Sequence, residues 1–405
     1  MRAWLLTVGV VALAACSTSS PRRSDISDAE LLSGDILGPG FAAGAVTVTP
    51  IEDAFALDDQ MRAFARTVNN VSDPSFHVNG LLEAMQKQGL FALDYSSSST
   101  RTVSETFHER RGNCLSFTML FIELARAVGL HARYQLVEVP PHWNHEGDLV
   151  VIANHVNAVI ESRFQHDLII DFNYADFRGD YPMHKIDDAY ASALYYTNLG
   201  AEALLKRDFP TSFALLREAL SFHDNMSEPW VNLGVLYGRL GHYDYAEAAY
   251  LRALAADPRE RSAVANLVGV YTALGDTARA EQYRERVRNY QEINPYYHYS
   301  RAQTARSEER NEDALGELRR AIRLKNDDSD FFKLQGETLL ALGRGEDAAR
   351  SFERARAVAR PSSLVREAGS ENSSAGRLAR PAGGPGATIY VPSLPSPSLN
   401  LFATP

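Results

Sequence analysis

Cys114 is the one cysteine in the body of the chain, and the residues around it read as the start of a buried helix. In the stretch 110–130, RRGNCLSFTMLFIELARAVGL, Gly112 and Asn113 suggest a tight turn, with Asn113 as N-cap and Cys114 on the first helical turn. Leu115, Met119, Ile122, Ala125 and Val128 supply an apolar face, Leu120, Leu124 and Ala127 widen it, and Gly129 is the expected stop. A thiol in that position meets unpaired backbone N–H groups and the positive end of the helix dipole. Both favour a thiolate when a basic partner stands nearby. The residue is therefore a candidate nucleophile, and the alternative is a small apolar side chain filling a core.

The basic partner and its carboxylate are sought on the strands that follow. Residues 132–139 alternate and end at Pro140-Pro141, and a loop is expected through His142, Trp143, Asn144 and His145 to Gly147. Residues 149–160, LVVIANHVNAVI, read as a strand on which His155 shares a face with Val151, Ala153, Asn157 and Val159. A second short strand, 168–171, ends on Asp171, and the two are expected to form an antiparallel hairpin. A thiol, an imidazole and a carboxylate in this order suit acyl transfer. The imidazole takes and returns a proton, and the carboxylate fixes its tautomer. The Cys114 N–H is the natural oxyanion donor, with Asn113 or Trp143 as side-chain options. His142, His145 and Glu146 offer the alternative of a metal, but an HxxHE order on a loop matches neither helical zinc pattern. No metal or other cofactor is expected.

The run Thr102, Glu105, Phe107, Arg111-Gly112-Asn113-Cys114, followed by residues 126–133, RAVGLHAR, resembles the core signature of the transglutaminase-like superfamily. His155 and Asp171 fall where that family places its other two triad members. Across roughly 51–190 the resemblance implies a papain-like α+β fold and thiol chemistry on amides, in bacterial members more often peptidase or amidase work than cross-linking. Two positions differ from the family pattern: Asn157 stands where a tryptophan is common, and Asp171-Phe172-Asn173 replaces Asp-Pro-Thr.

The amino terminus reads as an address. Arg2, an apolar core over 4–13 and Leu13-Ala14-Ala15-Cys16 resemble the signal and lipobox of bacterial lipoproteins, which implies a signal peptide over 1–15 and lipidation of Cys16. Ser17 after that cysteine implies the outer membrane, on the periplasmic side, with the lipid anchor as the membrane contact. One thiol then remains in an oxidising compartment, where it forms no internal disulfide and is a liability unless used. A net charge of −10 with no basic stripe disfavours nucleic acid. Residues 16–50 read as a tether, and helices are expected over 51–68, 78–90 and 101–110, the last capped from the loop 96–100.

From 193 to 362 the chain repeats. Gly200, Gly234, Val268, Ala302 and Gly336 are 34 residues apart, as are Ser212, Ala246, Ala280, Ala314 and Ala348. Trp230, Leu233-Gly234, Tyr237, Ala246, Tyr250, Ala253 and Pro258 match the tetratricopeptide pattern, which implies five helical hairpins in an all-α solenoid. Asn198, Asn232 and Asn266 share one register, where amides could line a groove for an extended protein or peptide partner, and Tyr296 and Tyr299 add aromatic surface. Residues 363–405 are rich in Ser, Gly, Ala and Pro and read as a disordered tail in which 389–391 could dock. The sequence thus points to a cysteine amidase or acyltransferase fed by the repeats, with a catalytically inactive scaffold for envelope proteins as the competing function.

Overall fold

The computed structural model describes residues 26–68, 74–90, 94–95, 99–137, 144–146, 149–161, 167–172, 182–358, 365–367 and 388–390. Its first part runs α1 (Asp28–Ser33), α2 (Ile51–Phe55), α3 (Asp59–Val68), α4 (Pro74–Lys87), β1 (Asp94–Tyr95), α5 (Val103–Glu109), β2 (Arg111–Gly112) and α6 (Cys114–Ala127). The strands β3 (Ala132–Val137), β4 (Asn144–Glu146), β5 (Leu149–Ile160), β6 (Leu168–Ile170) and β7 (Met183–Ile186) follow. Ten helices come next: α7 (Asp188–Leu205), α8 (Phe209–Phe222), α9 (Ser227–Arg239), α10 (Tyr243–Ala256), α11 (Arg261–Ala273), α12 (Thr277–Glu292), α13 (Pro295–Ser307), α14 (Asn311–Leu324), α15 (Ser329–Ala341) and α16 (Gly345–Val358). Two short strands, β8 (Val365–Glu367) and β9 (Thr388–Tyr390), end the described chain.

The sheet is antiparallel in the order β7-β3-β5-β6-β8. Its register aligns Val137 with His155 and Ala132 with Ile160, and β5 and β6 form the expected antiparallel hairpin, with Ala158 opposite Ile170. β4 forms a second hairpin with the start of β5, where the sequence suggested only a loop. Helix α6 lies against β5 and β3 and is buried nearly all round from Cys114 to Ile122, consistent with its apolar composition. Thr118 Oγ1, midway along it, donates to the Val156 carbonyl at 3.1 Å and ties the helix to the strand that carries His155. At its end, positive-φ Gly129 and a bond from the Leu130 N–H to the Ala125 carbonyl stop the helix where expected.

The solenoid consists of five packed hairpins, α7–α8 through α15–α16. The repeated small residues work as expected. A Cβ on Gly234 would lie 2.4 Å from Tyr250, and one on Gly336 would lie 2.6 Å from Phe352, so α9–α10 and α15–α16 each touch through glycine.

Two boundaries differ from expectation. The stretch read as a tether is structured from Ile26 onward: Ser27 caps α1, Leu31 is fully buried among solenoid residues, Tyr237 Oη donates to the Leu31 carbonyl, and Phe41 meets Phe213 edge to face at 5.8 Å. Apolar anchors, Leu31 and Phe41 among them, outweighed a polar composition. The second concerns the junction near residue 190, because the core built on α6 and β5 also takes Ala191, Leu194, Tyr195 and Tyr196 from α7, Leu215 and Ala219 from α8, and Met226. The first repeat belongs to both halves.

Candidate functional site

Construction of the site begins at the turn before α6. A capping box on α5, with Thr102 accepting from the Glu105 N–H while the Glu105 carboxylate accepts from the Thr102 N–H, starts that helix, and left-handed Arg110 ends it. The loop before α5 was expected to cap it from 96–100, and the capping residue is instead Thr102. Gly112 then passes so close to Ser116 that a Cβ would sit 2.7 Å from the Ser116 Cβ. Asn113 caps α6 as read from the sequence: its Oδ1 accepts from the Ser116 N–H and the Ser116 hydroxyl, each at 3.0 Å. Its Nδ2 donates to Thr100 Oγ1 at 2.8 Å, so this amide is committed to structure and is not placed as an oxyanion donor. Trp143, the other side chain considered for that role, lies outside the described residues.

Cys114 is thereby fixed at the first position of α6, fully buried and in no disulfide. Its side chain is within hydrogen-bonding reach of His155. His155 Nε2 meets Asp171 Oδ2 at 2.7 Å, with both residues almost wholly buried. With Nε2 committed to the carboxylate, Nδ1 is the ring nitrogen left for sulfur. Burial works to lower the imidazole pKa, but the Asp171 charge and hydrogen bond, helped by Cys114, outweigh it, and the group is pushed up to about 10. The three residues singled out from the sequence, spread over 114–171, are brought together.

Asn157, two residues beyond His155 on the same face of β5, donates from Nδ2 to Asp171 Oδ2 at 3.2 Å. The strand alternation already placed it beside His155, but it was read as a departure from the family pattern and not as a partner. Asp171 therefore accepts from two side chains, and the following Phe172 packs against Phe117 and Phe121 of α6, at 6.3 and 5.8 Å between ring centres. Glu202 was missed altogether, and Thr100 was read only as part of the loop capping α5. The Thr100 N–H donates to Glu202 Oε1 at 2.7 Å across 102 residues of sequence, a separation no local pattern signals.

The remaining expected residues are placed differently. Asn198, Asn232 and Asn266 do not stand open on a wall: each is at most 2% exposed. β9 packs against α7 and α9, which carry the first two, and Asn266 lies beside the buried Tyr250 hydroxyl. Tyr296 and Tyr299 are half-buried and packed on Phe331, with ring centres at 5.3 and 5.0 Å. Tyr299 also borders a groove of about 810 Å³ with Arg306, Asp330 and Lys333. Cys16 and His142 lie outside the described residues, and His145 falls in β4, where only the backbone is described. No group of three or more metal-binding side chains occurs among the described residues.

Residues 62–168 match the model of the transglutaminase-like superfamily, a span that holds Cys114 and His155 and ends three residues before Asp171. Residues 227–260, covering α9 and α10, match a tetratricopeptide repeat. Among curated proteins there is no match. Similar solved structures include MamA from Desulfovibrio magneticus RS-1 (18% identity, 42% of this chain and 96% of that one, TM-score 0.24). YrrB, described as a TPR protein with an unusual peptide-binding site, shares 18% identity over 41% of this chain and 86% of its own, at a TM-score of 0.24. PilF of Pseudomonas aeruginosa shares 16% over 43% and 80%, at 0.25. The chain is thus a transglutaminase-like α+β domain followed by a tetratricopeptide solenoid.

Proposed function

We propose that the chain is a thiol amidase or acyltransferase acting on a protein or peptide, held at the outer membrane by a lipid on Cys16. The observation that carries the reading is the buried chain of contacts from Cys114 through His155 to Asp171. An imidazolium beside a thiol favours the thiolate, and so does the helix start. In this mechanism the Cys114 sulfur attacks the amide carbonyl carbon and the carbonyl electrons move to oxygen. The Cys114 N–H, at the first position of α6, is the natural donor to that developing charge. His155 gives its Nδ1 proton to the departing nitrogen as the C–N bond breaks, which leaves an S-acyl thioester and a neutral imidazole. Water or an amine then attacks, His155 takes its proton, and the C–S bond breaks. Asp171, steadied by Asn157, keeps the ring turned and supports its charge.

An extended polypeptide as substrate is supported by β5. Just before His155, residues 152–154 pair antiparallel with β9, so that strand accepts a peptide backbone beside the site. The solenoid supports protein–protein contact in the same way. The test is to incubate the protein with peptide amides and search by mass spectrometry for an acyl adduct on Cys114. An adduct lost in Cys114→Ala supports the enzyme, and its absence across acidic and neutral pH counts against it. The scaffold reading has one observation in its favour, the complete burial of Cys114.

The membrane anchor rests on the sequence of residues 2–17. Cys16→Ser is expected to move the protein from the membrane to the soluble fraction and to remove the lipid mass, since acyl chains supply that affinity. Unchanged fractionation and mass would contradict it.

A further inference from the structure

Glu202 is a buried acid that the mechanism above does not use. It projects from α7, the first helix of the solenoid, and is only 8% exposed. Its carboxylate accepts the Thr100 N–H at 2.7 Å and also hydrogen-bonds the Thr100 side chain. The Thr100 oxygen in turn accepts from Asn113 Nδ2 at 2.8 Å, and Asn113 Oδ1 accepts the Ser116 N–H and hydroxyl. The Ser116 oxygen accepts the Arg101 N–H at 2.9 Å.

Every proton in this relay has a direction, and Glu202 sets it. A carboxylate only accepts, so the Thr100 hydroxyl must donate to it and turn its lone pairs toward Asn113. Asn113 can then present only its NH2 to Thr100, and only its carbonyl oxygen to the first turn of α6. Turned the other way, the amide would offer N–H to N–H, and the cap would be lost. The residue immediately after the cap is Cys114.

Building on the thiol reading above, we infer that Glu202 is a positioning residue for Cys114, supplied to the thiol site by the solenoid and acting through Thr100 and Asn113. The geometry makes a distinct chemical demand: an acceptor is required at position 202, and a charge is not. Glutamine keeps an acceptor oxygen toward Thr100, whereas alanine removes it. Thr100→Val, close to threonine in volume, cuts the relay midway and leaves Glu202 in place.

The test uses the full chain and two readouts. The first is hydrogen exchange of the Ser116 amide. It should quicken at least tenfold in Glu202→Ala and in Thr100→Val and stay within about twofold of wild type in Glu202→Gln. The second is the pH curve of iodoacetamide labelling at Cys114, which should move to higher pH in the same two variants and not in Glu202→Gln. Thr100→Val keeps the inference testable if Glu202→Ala does not fold. Adding Asn113→Ala to Glu202→Ala should slow labelling no further than Asn113→Ala alone. Exchange at Ser116 that stays at the wild-type rate overturns the inference. So does faster exchange with an unmoved labelling curve, which would make Glu202 a general stabilising contact. The enzyme reading fails separately: an ordinary thiol curve in wild type rejects it, while the exchange result alone then decides whether Glu202 anchors the helix start.

Discussion

Burial alone would keep the His155 imidazole neutral, and a carboxylate 2.7 Å away reverses that preference. Because the folded-state pKa rises from 6.5 to about 10, the interaction stabilises the fold fully below pH 6.5, and the stabilisation is lost as pH climbs through 10. Urea unfolding of the wild type should therefore show stability declining between pH 7 and 10, with a shallower decline in Asp171→Asn. Removing the carboxylate entirely, as in Asp171→Ala, leaves His155 and Asn157 without their shared acceptor and should cost about 3 kcal/mol at pH 7. Parallel pH profiles for wild type and Asp171→Asn would contradict the pairing. Asn157 shows how a residue can be visible and still be misread: the two-residue period put it beside His155, but the period says nothing about which groups meet across the hairpin.

Elements with a strong period were legible. The strand 149–160 appears with the bounds read from its alternation, the second strand ends at Ile170, one residue short of the expected Asp171, and the helix carrying Cys114 starts at its asparagine cap. The 34-residue repeat was equally plain, since close approach admits only small side chains at fixed places. Replacing Gly234 by valine forces that contact apart at Tyr250, and thermal or urea unfolding should show a loss of about 2 kcal/mol. Unchanged stability would mean that the helices separate without cost. The hidden elements were short or set by distant partners. β4 is three residues after a proline pair and β7 is four residues without an alternating apolar face, so neither carries a periodic signal. Thr102, with Glu105 three residues on, carries the local capping-box pattern that Thr100 lacks, but nothing local signals that Thr100 serves Asn113 through the distant Glu202.

On the scale of the whole molecule, the two halves are one construction. The core around α6 extends through α7 and α8, residues 26–41 strap onto the solenoid, and Glu202 reaches from the first repeat to the turn before Cys114. A domain boundary drawn from repeat periodicity falls near residue 190, but apolar burial and hydrogen bonding cross it. The arrangement brings a buried thiol, an imidazole paired with a carboxylate and the strand that pairs with β9 to the foot of the tetratricopeptide solenoid. The central claim is that Cys114 is a nucleophile activated by His155, and the most direct measurement is the pH dependence of its iodoacetamide labelling, read at Cys114 by mass spectrometry. In wild type, labelling is expected to persist well below the ordinary thiol pKa of about 8.5. His155→Ala should move the curve to higher pH, Asp171→Asn should move it less, and Cys114→Ala should abolish labelling without unfolding the chain. A thiol that stays inert, or an ordinary curve that His155→Ala leaves in place, would contradict the account.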